Sequence, residues 1–317
     1  MRRTLLLLLA AVLLAGTPRR GAGQDFVTTA LTGLPAETSH LEYSSPSRLR
    51  ATPGYQSLKG KFAGASLQQL GSTLDQLGIS EYEVDGLLVG WKPGDKETDL
   101  YGYASGHFDK AEVAKRAAAQ NLVPTHISGH PAYCFSAGAR GTCVVILEDS
   151  LGAFGPPSSL MQLLEPHAGQ PLNLIADPRF AGLLQNANKT APIWGIALGG
   201  AAADYLGAWL STQNNLKLDW GKVFEKVDSL TYSIDPADKL EMDLKLQCVS
   251  QQDAAILRQI LDGVRMAQQL AWQFQNPGRP NPYAAVNVDQ HDTRIDLNLK
   301  MDYSALALVN GVAAPQQ

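Results

Sequence analysis

The sequence lacks an uncharged apolar segment long enough to cross a membrane. Its longest apolar run, Leu5–Ala15, falls well short of the ~20 residues that a membrane-spanning helix needs. The run follows Arg2 and Arg3 and precedes the small residues Gly21–Gly23, which is the order of a secretory signal peptide. We therefore predict a signal peptide at residues 1–23, a periplasmic or extracellular protein, and no transmembrane span. The alternative is an uncleaved anchor at the membrane interface.

Basic residues are scarce in the part of the chain that would be exported. Four of the 26 Lys and Arg residues lie in the first 23 positions, so 22 remain against 30 Asp and Glu residues, a net charge of −8 with histidine neutral. A field of this sign repels phosphate backbones, and no cluster of basic and aromatic residues overrides it. We therefore predict no nucleic-acid partner.

The sequence also lacks the local motifs of nucleophilic and nucleotide-binding enzymes. It has no Gly-x-Ser-x-Gly elbow and no Ser-x-x-Lys pair, and the segment Gly195–Gly200 lacks the spacing and the lysine of a phosphate-binding loop. These absences weaken a covalent hydrolase and a nucleotide-dependent enzyme, although catalytic triads are spatial and need no local motif. We predict no cofactor.

The chain has only three cysteines, so an exported monomer keeps at least one unpaired. A two-residue turn at Gly138-Ala139 would place Cys134 and Cys143 opposite each other on neighbouring strands, a geometry that permits a disulfide. Cys248 lies in an apolar strand and is interpreted as a small buried hydrophobic residue.

Histidines at metal-ligand spacing are limited to one pair. His126 and His130 are four residues apart, but Ser128-Gly129 between them and Pro131 after them favour a turn over a helix that would aim both rings at one metal. We predict no metal site.

His107, Asp289, His291 and Asp292 are the candidate catalytic residues if the protein is an enzyme. The last three place two carboxylates beside an imidazole, which can perform acid–base catalysis or hold a cation. They also lie between two predicted strands, where a hairpin turn belongs. His107 precedes Asp109 at a predicted helix start, where cap chemistry is expected. The structural interpretation is favoured for all four.

The chain contains an internal repeat. The segment Val84–Lys115 matches Val227–Arg258 without a gap, 143 residues later. The coincident pairs are Val84/Val227, Asp85/Asp228, Leu87/Leu230, Pro93/Pro236, Asp95/Asp238, Lys96/Lys239 and Ala111/Ala254. Matches at turns and inward positions indicate one structural unit used twice.

The predicted elements give an α+β fold with two tandem ferredoxin-like β-α-β-β-α-β units, the first with an added strand, and antiparallel sheets with helices on one face. The predicted organisation is a signal peptide (1–23), a polar leader (24–33), a first unit (34–148), an ordered helical connector (149–190), a second unit (191–309) and a flexible tail (310–317).

Two apolar surfaces follow from this fold. The open sheet faces, with Trp91, Tyr101 and Tyr103 in the first unit, should pack on each other or form a binding or homodimer surface. The last long helix should lay one apolar face on its sheet. That face carries Ile256, Ile260, Val264, Ala267, Ala271 and Phe274.

In three short segments the sequence resembles a group of uncharacterised exported bacterial proteins of the acidobacterial and planctomycete type. The segments are the opening Leu34-Pro35-Ala36-Glu37-Thr38, the Gly-Ile-x-x-x-x-Val-Asp segment from Gly78 to Asp85, and Ala191–Gly195. The resemblance implies duplicated α+β units and an envelope or extracellular location, and it carries no catalytic residues. We therefore expect a non-enzymatic binding or structural module whose partner is an envelope or extracellular protein or ligand. The alternative is a cell-envelope hydrolase with a cleft between the two units.

Overall fold

The computed structural model describes residues 22–53, 65–93, 100–135, 141–165, 173–211 and 218–305. These residues form twelve strands: β1 (His40–Ser44), β2 (Val84–Trp91), β3 (Tyr101–Gly106), β4 (Thr125–Ile127), β5 (His130–Phe135), β6 (Thr142–Glu148), β7 (Leu151–Gly155), β8 (Ile193–Leu198), β9 (Val227–Asp235), β10 (Leu240–Cys248), β11 (Val286–His291) and β12 (Arg294–Met301). All twelve belong to one antiparallel sheet in the order β11-β12-β10-β9-β8-β1-β2-β3-β7-β6-β5-β4.

The α-helices connect these strands and pack on the sheet. They are α1 (Ala22–Gly33), α2 (Pro46–Arg50), α3 (Ala65–Gln76), α4 (Lys110–Ala119), α5 (Pro157–Leu164), α6 (Pro178–Asn186), α7 (Gly200–Ser211), α8 (Trp220–Phe224) and α9 (Gln251–Gln275). The predicted starts of three helices are confirmed, because the Asp109, Asp177 and Ser250 side chains accept backbone N–H bonds from the first turns of α4, α6 and α9.

Strand β1 joins the two halves of the sheet. It pairs with β2 on one side, where Glu42 faces Val89, and with β8 on the other, where Glu42 faces Gly195. The prediction of two separate sheets is therefore wrong. A single sheet leaves no unpaired strand edge at the junction, which is the physical reason for the merger.

The ferredoxin-like strand order is not found either. A split β-α-β unit joins parallel strands through a helix, whereas the helix-connected pairs β1–β2 and β8–β9 are antiparallel neighbours. Each half still has the order β-α-β-β-α-β-β if the extra β4–β5 hairpin is set aside. Pairing in the first half, β1-β2-β3-β7-β6, corresponds to β8-β9-β10-β12-β11 in the second.

Helices cover both sheet faces in the N-terminal half, not one face as predicted. Adjacent strand residues point to opposite faces. Leu88 belongs to a core with Phe26, Leu160 and Phe180 of α1, α5 and α6, whereas Val89 belongs to a core with residues of α3 and α4. In the C-terminal half α7, α8 and α9 cover one face. The apolar sheet faces predicted to pack together or to form a dimer surface are therefore occupied by helices.

Two segments outside the predicted units belong to the fold. Residues 24–33, predicted to be a polar leader, lie in α1, which buries Phe26, Val27, Ala30 and Leu31 because they recur at helical spacing. The predicted connector 149–190 contains β7, which pairs with β3 and β6. Most of the predicted signal peptide, up to residue 21, and the predicted tail 310–317 lie outside the described residues.

Candidate functional site

The structure does not bring the candidate catalytic residues together. The His107 side chain is 86% exposed, and its Nε2 lies 3.7 Å from Oδ2 of Asp85. His107 follows β3, whereas Asp289 and His291 lie on β11, and six strands separate β3 from β11. Seven inter-strand spacings of ~4.8 Å put the two places roughly 34 Å apart across the sheet.

The Asp289–Asp292 segment forms the end of a hairpin. His291 pairs with Arg294 across the turn, and Asp292 has a positive φ of 52°. The carboxylate of Asp289 accepts a hydrogen bond from Asn287, and His291 Nε2 lies 3.7 Å from Asp296 Oδ2. These are contacts of an exposed turn.

Metal-ligating side chains do not gather among the residues that the structure describes: no group of three or more His, Cys, Asp and Glu could hold an ion. His126 and His130 lie on the paired strands β4 and β5. The sequence indicated that these two histidines do not share a helix, and the structure agrees.

The cysteines are arranged as predicted. Cys134 and Cys143 are opposite residues of β5 and β6 and form a disulfide with 4.0 Å between their Cα atoms. The turn predicted at Gly138-Ala139 lies outside the described residues. Cys248 is a free, buried thiol, and burial raises its pKa to about 11.

A set of buried and half-buried polar and aromatic side chains lies at the junction of the two halves. This central cluster consists of His40, Glu42, Trp91, Tyr205 and Tyr232. The Tyr232 hydroxyl donates a hydrogen bond of 2.5 Å to Glu42 Oε2 and lies 3.1 Å from His40 Nε2. The cluster is not predicted from the sequence, although Gly195 inside an apolar strand is a signal that another part of the chain approaches closely.

Gly195 makes the central cluster possible. Tyr232 is on β9 and Glu42 is on β1, so β8 lies between them. The three residues Glu42, Gly195 and Tyr232 are in register across these strands. A Cβ atom on Gly195 would lie 2.2 Å from Cζ of Tyr232. The Tyr232 ring therefore reaches Glu42 by lying over the glycine.

Aromatic contacts enclose the two titratable side chains. The His40 ring stacks on Trp91 with 4.5 Å between centroids and meets the Tyr205 ring edge-on at 4.8 Å. Tyr205 stacks on Tyr232 with 4.8 Å between centroids. His40 is only 8% exposed and Glu42 only 9%. A substrate in solution therefore has little access to either group.

Burial keeps the central cluster without net charge. It raises the pKa of Glu42 to about 7, an effect that the hydrogen bond from Tyr232 opposes. It lowers the pKa of His40 to about 3 and raises the pKa values of both tyrosines above their ordinary value. Between about pH 3 and about pH 7 the cluster therefore consists of neutral hydrogen-bonding groups.

A polar groove lies on the opposite face of β9. Thr231 and Ser233 flank Tyr232 and so point away from the central cluster. The groove has a volume of about 300 Å³, and its lining residues are Asn186, Asn188, Thr231, Tyr232, Ser233, Asp243 and Lys245. Helix α6 ends at Asn186, and Asp243 and Lys245 lie on β10. The groove thus offers hydroxyl, amide, carboxylate and ammonium groups.

The indole N–H of Trp194 is a further polar group on the same sheet face as the groove. Trp194 is directly opposite Ser233 in the β8–β9 ladder and is fully buried. Within the part of the chain that the structure describes, its indole Nε1 has no hydrogen-bond partner. A buried donor without a partner is rare in native proteins.

Comparisons with known proteins identify no family. No protein-family model matches the chain, and no curated protein sequence matches it. Two crystal structures of TP0453, crystal forms IV and I, are similar over 90% and 89% of this chain and 96% of theirs, with 11% identity and a TM-score of 0.46 in both cases. At this level the similarity carries no information about function.

Proposed function

We propose that the chain is an exported, non-enzymatic binding protein of the cell envelope or extracellular space, and that a small polar ligand binds in the polar groove. The observation that carries the proposal is the groove's lining. Hydrogen-bonding side chains from α6, β9, β10 and the Asn188 loop converge on one concave surface, on the sheet face that the C-terminal helices leave open.

The lining favours a ligand with hydroxyl or amide groups. Asn186 and Asn188 supply exposed neutral donors and acceptors, and Asp243 and Lys245 add one charge of each sign. Thr231 and Ser233 also line the groove but are only 8% and 5% exposed, so they contribute less to ligand contact. Sugars and short peptides have this chemistry.

The alternative, a cell-envelope hydrolase with a cleft between the units, has weaker support. Such an enzyme needs a nucleophile and a base within hydrogen-bond reach in an accessible site. His107 and the Asp289–Asp292 segment are far apart, and β1–β8 pairing joins the halves. The acid and base that do meet, Glu42 and His40, are enclosed by aromatic rings.

Gene duplication of an α+β unit is part of the proposal. The two halves share the element order and the strand pairing order. The matching segments supply β2, β3 and the start of α4 in Val84–Lys115, and β9, β10 and the start of α9 in Val227–Arg258. The halves differ on one sheet face, which carries the groove in the C-terminal half and is covered by α1, α5 and α6 in the N-terminal half.

Export is supported by the predicted signal peptide and by the disulfide, since disulfides persist in oxidising compartments. Among the described helices, none has the length and apolar character to cross a membrane. We expect protein recovered from its native compartment to contain one free thiol, Cys248, after denaturation without reductant. Alkylation followed by peptide mass spectrometry measures this, and three alkylated cysteines would contradict an oxidising location.

Ligand capture tests the proposed function. The purified protein is incubated with the fraction below 1 kDa of a native envelope extract, separated from unbound compounds and examined by native mass spectrometry. We expect one or more small polar compounds on the wild-type protein. The double variant Asp243→Asn, Lys245→Gln should capture at least ~10-fold less, because it removes both charges from the groove.

Lys300→Gln is the matched control. Lys300 is on β12, where it contacts Glu241 and lies outside the groove. Its loss should leave capture unchanged. The proposal fails if nothing below 1 kDa is captured, or if the double variant captures as much as the control.

A further inference from the structure

Helix α9 carries an apolar stripe that is exposed to solvent. Its buried side consists of Ala254, Leu257, Leu261 and Trp272. A second set of residues recurs in steps of four, three, four, three and four residues on another side: Ile256, Ile260, Gly263, Ala267, Leu270 and Phe274. We call this set the α9 stripe. Ile256 is 51% exposed, Leu270 54% and Phe274 85%.

The spacing of the α9 stripe is the heptad spacing of helix pairs. Most of these residues were predicted to face the sheet. The prediction was wrong because periodicity alone does not show which side of a helix faces the sheet. In the structure the helix has two apolar sides and the sheet covers one. An apolar surface of this length on a soluble protein marks an interaction site.

We propose that the α9 stripe binds the α9 stripe of a second copy of this chain in an antiparallel pair. The stripe is symmetric about its own centre. In an antiparallel pair Ile256 faces Phe274 of the second copy, Ile260 faces Leu270, and Gly263 faces Ala267. Large residues thus meet at both ends and small residues meet in the middle, where the helices can approach closely. One patch that complements itself about a two-fold axis is what a symmetric dimer requires.

The charges of α9 favour a protein partner over a lipid surface. Membrane-surface helices are rich in Lys and Arg on their polar side. Helix α9 has no lysine, and both of its arginines, Arg258 and Arg265, contact Asp262 on the same helix, at 3.5 Å and 3.0 Å. With Asp253 the helix has no net charge, so it has no general attraction for anionic lipids.

The size of the stripe predicts a dimer that depends on concentration. The stripe spans 18 residue steps, or ~27 Å of helix at 1.5 Å per residue. A single helix pair of this length, ~10 Å wide, covers roughly 270 Å² on each copy, which is below the size of stable protein interfaces and in the range of weak ones. The dimer is therefore expected to be weak and to form toward the upper end of the micromolar range.

Sedimentation equilibrium of the purified protein from ~1 μM to ~1 mM tests the proposal. We expect a monomer–dimer equilibrium that Leu270→Glu weakens by ~100-fold or more, since the two-fold axis places two carboxylates in the contact. Gln273→Glu, an exposed change on the side of the same helix, should not change the equilibrium. Thermal unfolding should be the same for both variants at low concentration, which separates dimer loss from misfolding.

Cysteine cross-linking tests the orientation. An oxidised mixture of Ile260→Cys and Leu270→Cys proteins should form disulfide-linked heterodimers, whereas each variant alone should cross-link poorly. The wild-type protein, whose free thiol Cys248 is buried, measures the background level of cross-linking. A monomer at all concentrations, a dimer that Leu270→Glu does not weaken, or efficient cross-linking of each variant with itself would overturn the proposal. Sedimentation of a monomer with vesicles of anionic lipid would overturn it in favour of a membrane surface.

Discussion

The Gly195→Ala variant is expected to lose about 3 kcal/mol of unfolding free energy. The new Cβ would lie 2.2 Å from the Tyr232 ring, so the ring must move. Overpacking alone costs ~1–3 kcal/mol, and displacement of the ring also breaks the hydrogen bond to the buried Glu42 carboxyl. Chemical denaturation measures the loss.

Gly182→Ala is the control for this prediction. Gly182 lies inside α6, and a Cβ there meets nothing within 4 Å. Alanine should raise stability by up to ~1 kcal/mol at this position, because it is the better helix former. In a Tyr232→Leu background, which removes the ring, Gly195→Ala should cost far less than in the wild type. Equal costs in both backgrounds would show that the ring does not lie over Gly195.

The second large effect concerns the pH dependence of the unfolding free energy. Glu42 and His40 contribute opposite dependences, which cancel in the wild-type protein. Glu42 has a folded pKa of about 7, above its ordinary 4.5, so its contribution to stability is full below pH 4.5 and is lost as the pH rises to about 7. His40 has a folded pKa of about 3, below its ordinary 6.5, so its contribution is full above pH 6.5 and is lost as the pH falls to about 3. Between pH 4.5 and 6.5 the two slopes oppose each other.

Single substitutions should uncover each slope. In the Glu42→Gln variant only the pH dependence due to His40 remains. The unfolding free energy of this variant relative to the wild type should therefore fall by about 3 kcal/mol from pH 6.5 to 4.5, at ~1.4 kcal/mol per pH unit. His40→Gln leaves Glu42, so its relative stability should fall by a similar amount as the pH rises from 4.5 to 6.5. Tyr205 and Tyr232, which also face the pair, stay neutral throughout because burial raises their pKa values.

Denaturant unfolding at several pH values gives both slopes. The difference between each variant and the wild type is compared, so that titrations elsewhere in the protein cancel. Slopes of opposite sign confirm that both side chains are buried in neutral form. Two variants with the same slope as the wild type would mean that Glu42 and His40 titrate as exposed groups.

Local features of the fold could be predicted from the sequence. Caps at Asp109, Asp177 and Ser250 depend on neighbouring residues alone, and so does the opposition of Cys134 and Cys143. The single sheet could not be predicted. It depends on β1 pairing with β8, which is about 150 residues away in sequence, and five-residue strands such as β1 carry too little pattern to specify a distant partner.

The central cluster escaped prediction for a related reason. His40 and Glu42 alternate with the buried Leu41 and Tyr43, a pattern typical of a strand with one solvent-exposed face. Both faces of β1 are buried instead, because β1 lies in the middle of the continuous sheet, where the helices of the two halves meet. The glycine at position 195 signals a close approach, but the sequence does not show that Tyr232 is the residue that approaches.

We propose that ligands bind in the polar groove and that the central cluster behind it is structural. Ligand capture by the Glu42→Gln protein, compared at one pH with capture by the Asp243→Asn, Lys245→Gln protein, distinguishes these two roles. We predict wild-type capture for Glu42→Gln, with its ligand unchanged in mass, and a loss of at least ~10-fold for the groove variant. Capture or chemical conversion of a compound that is lost in Glu42→Gln and retained in the groove variant would contradict the proposal and place the functional site at the junction of the two halves.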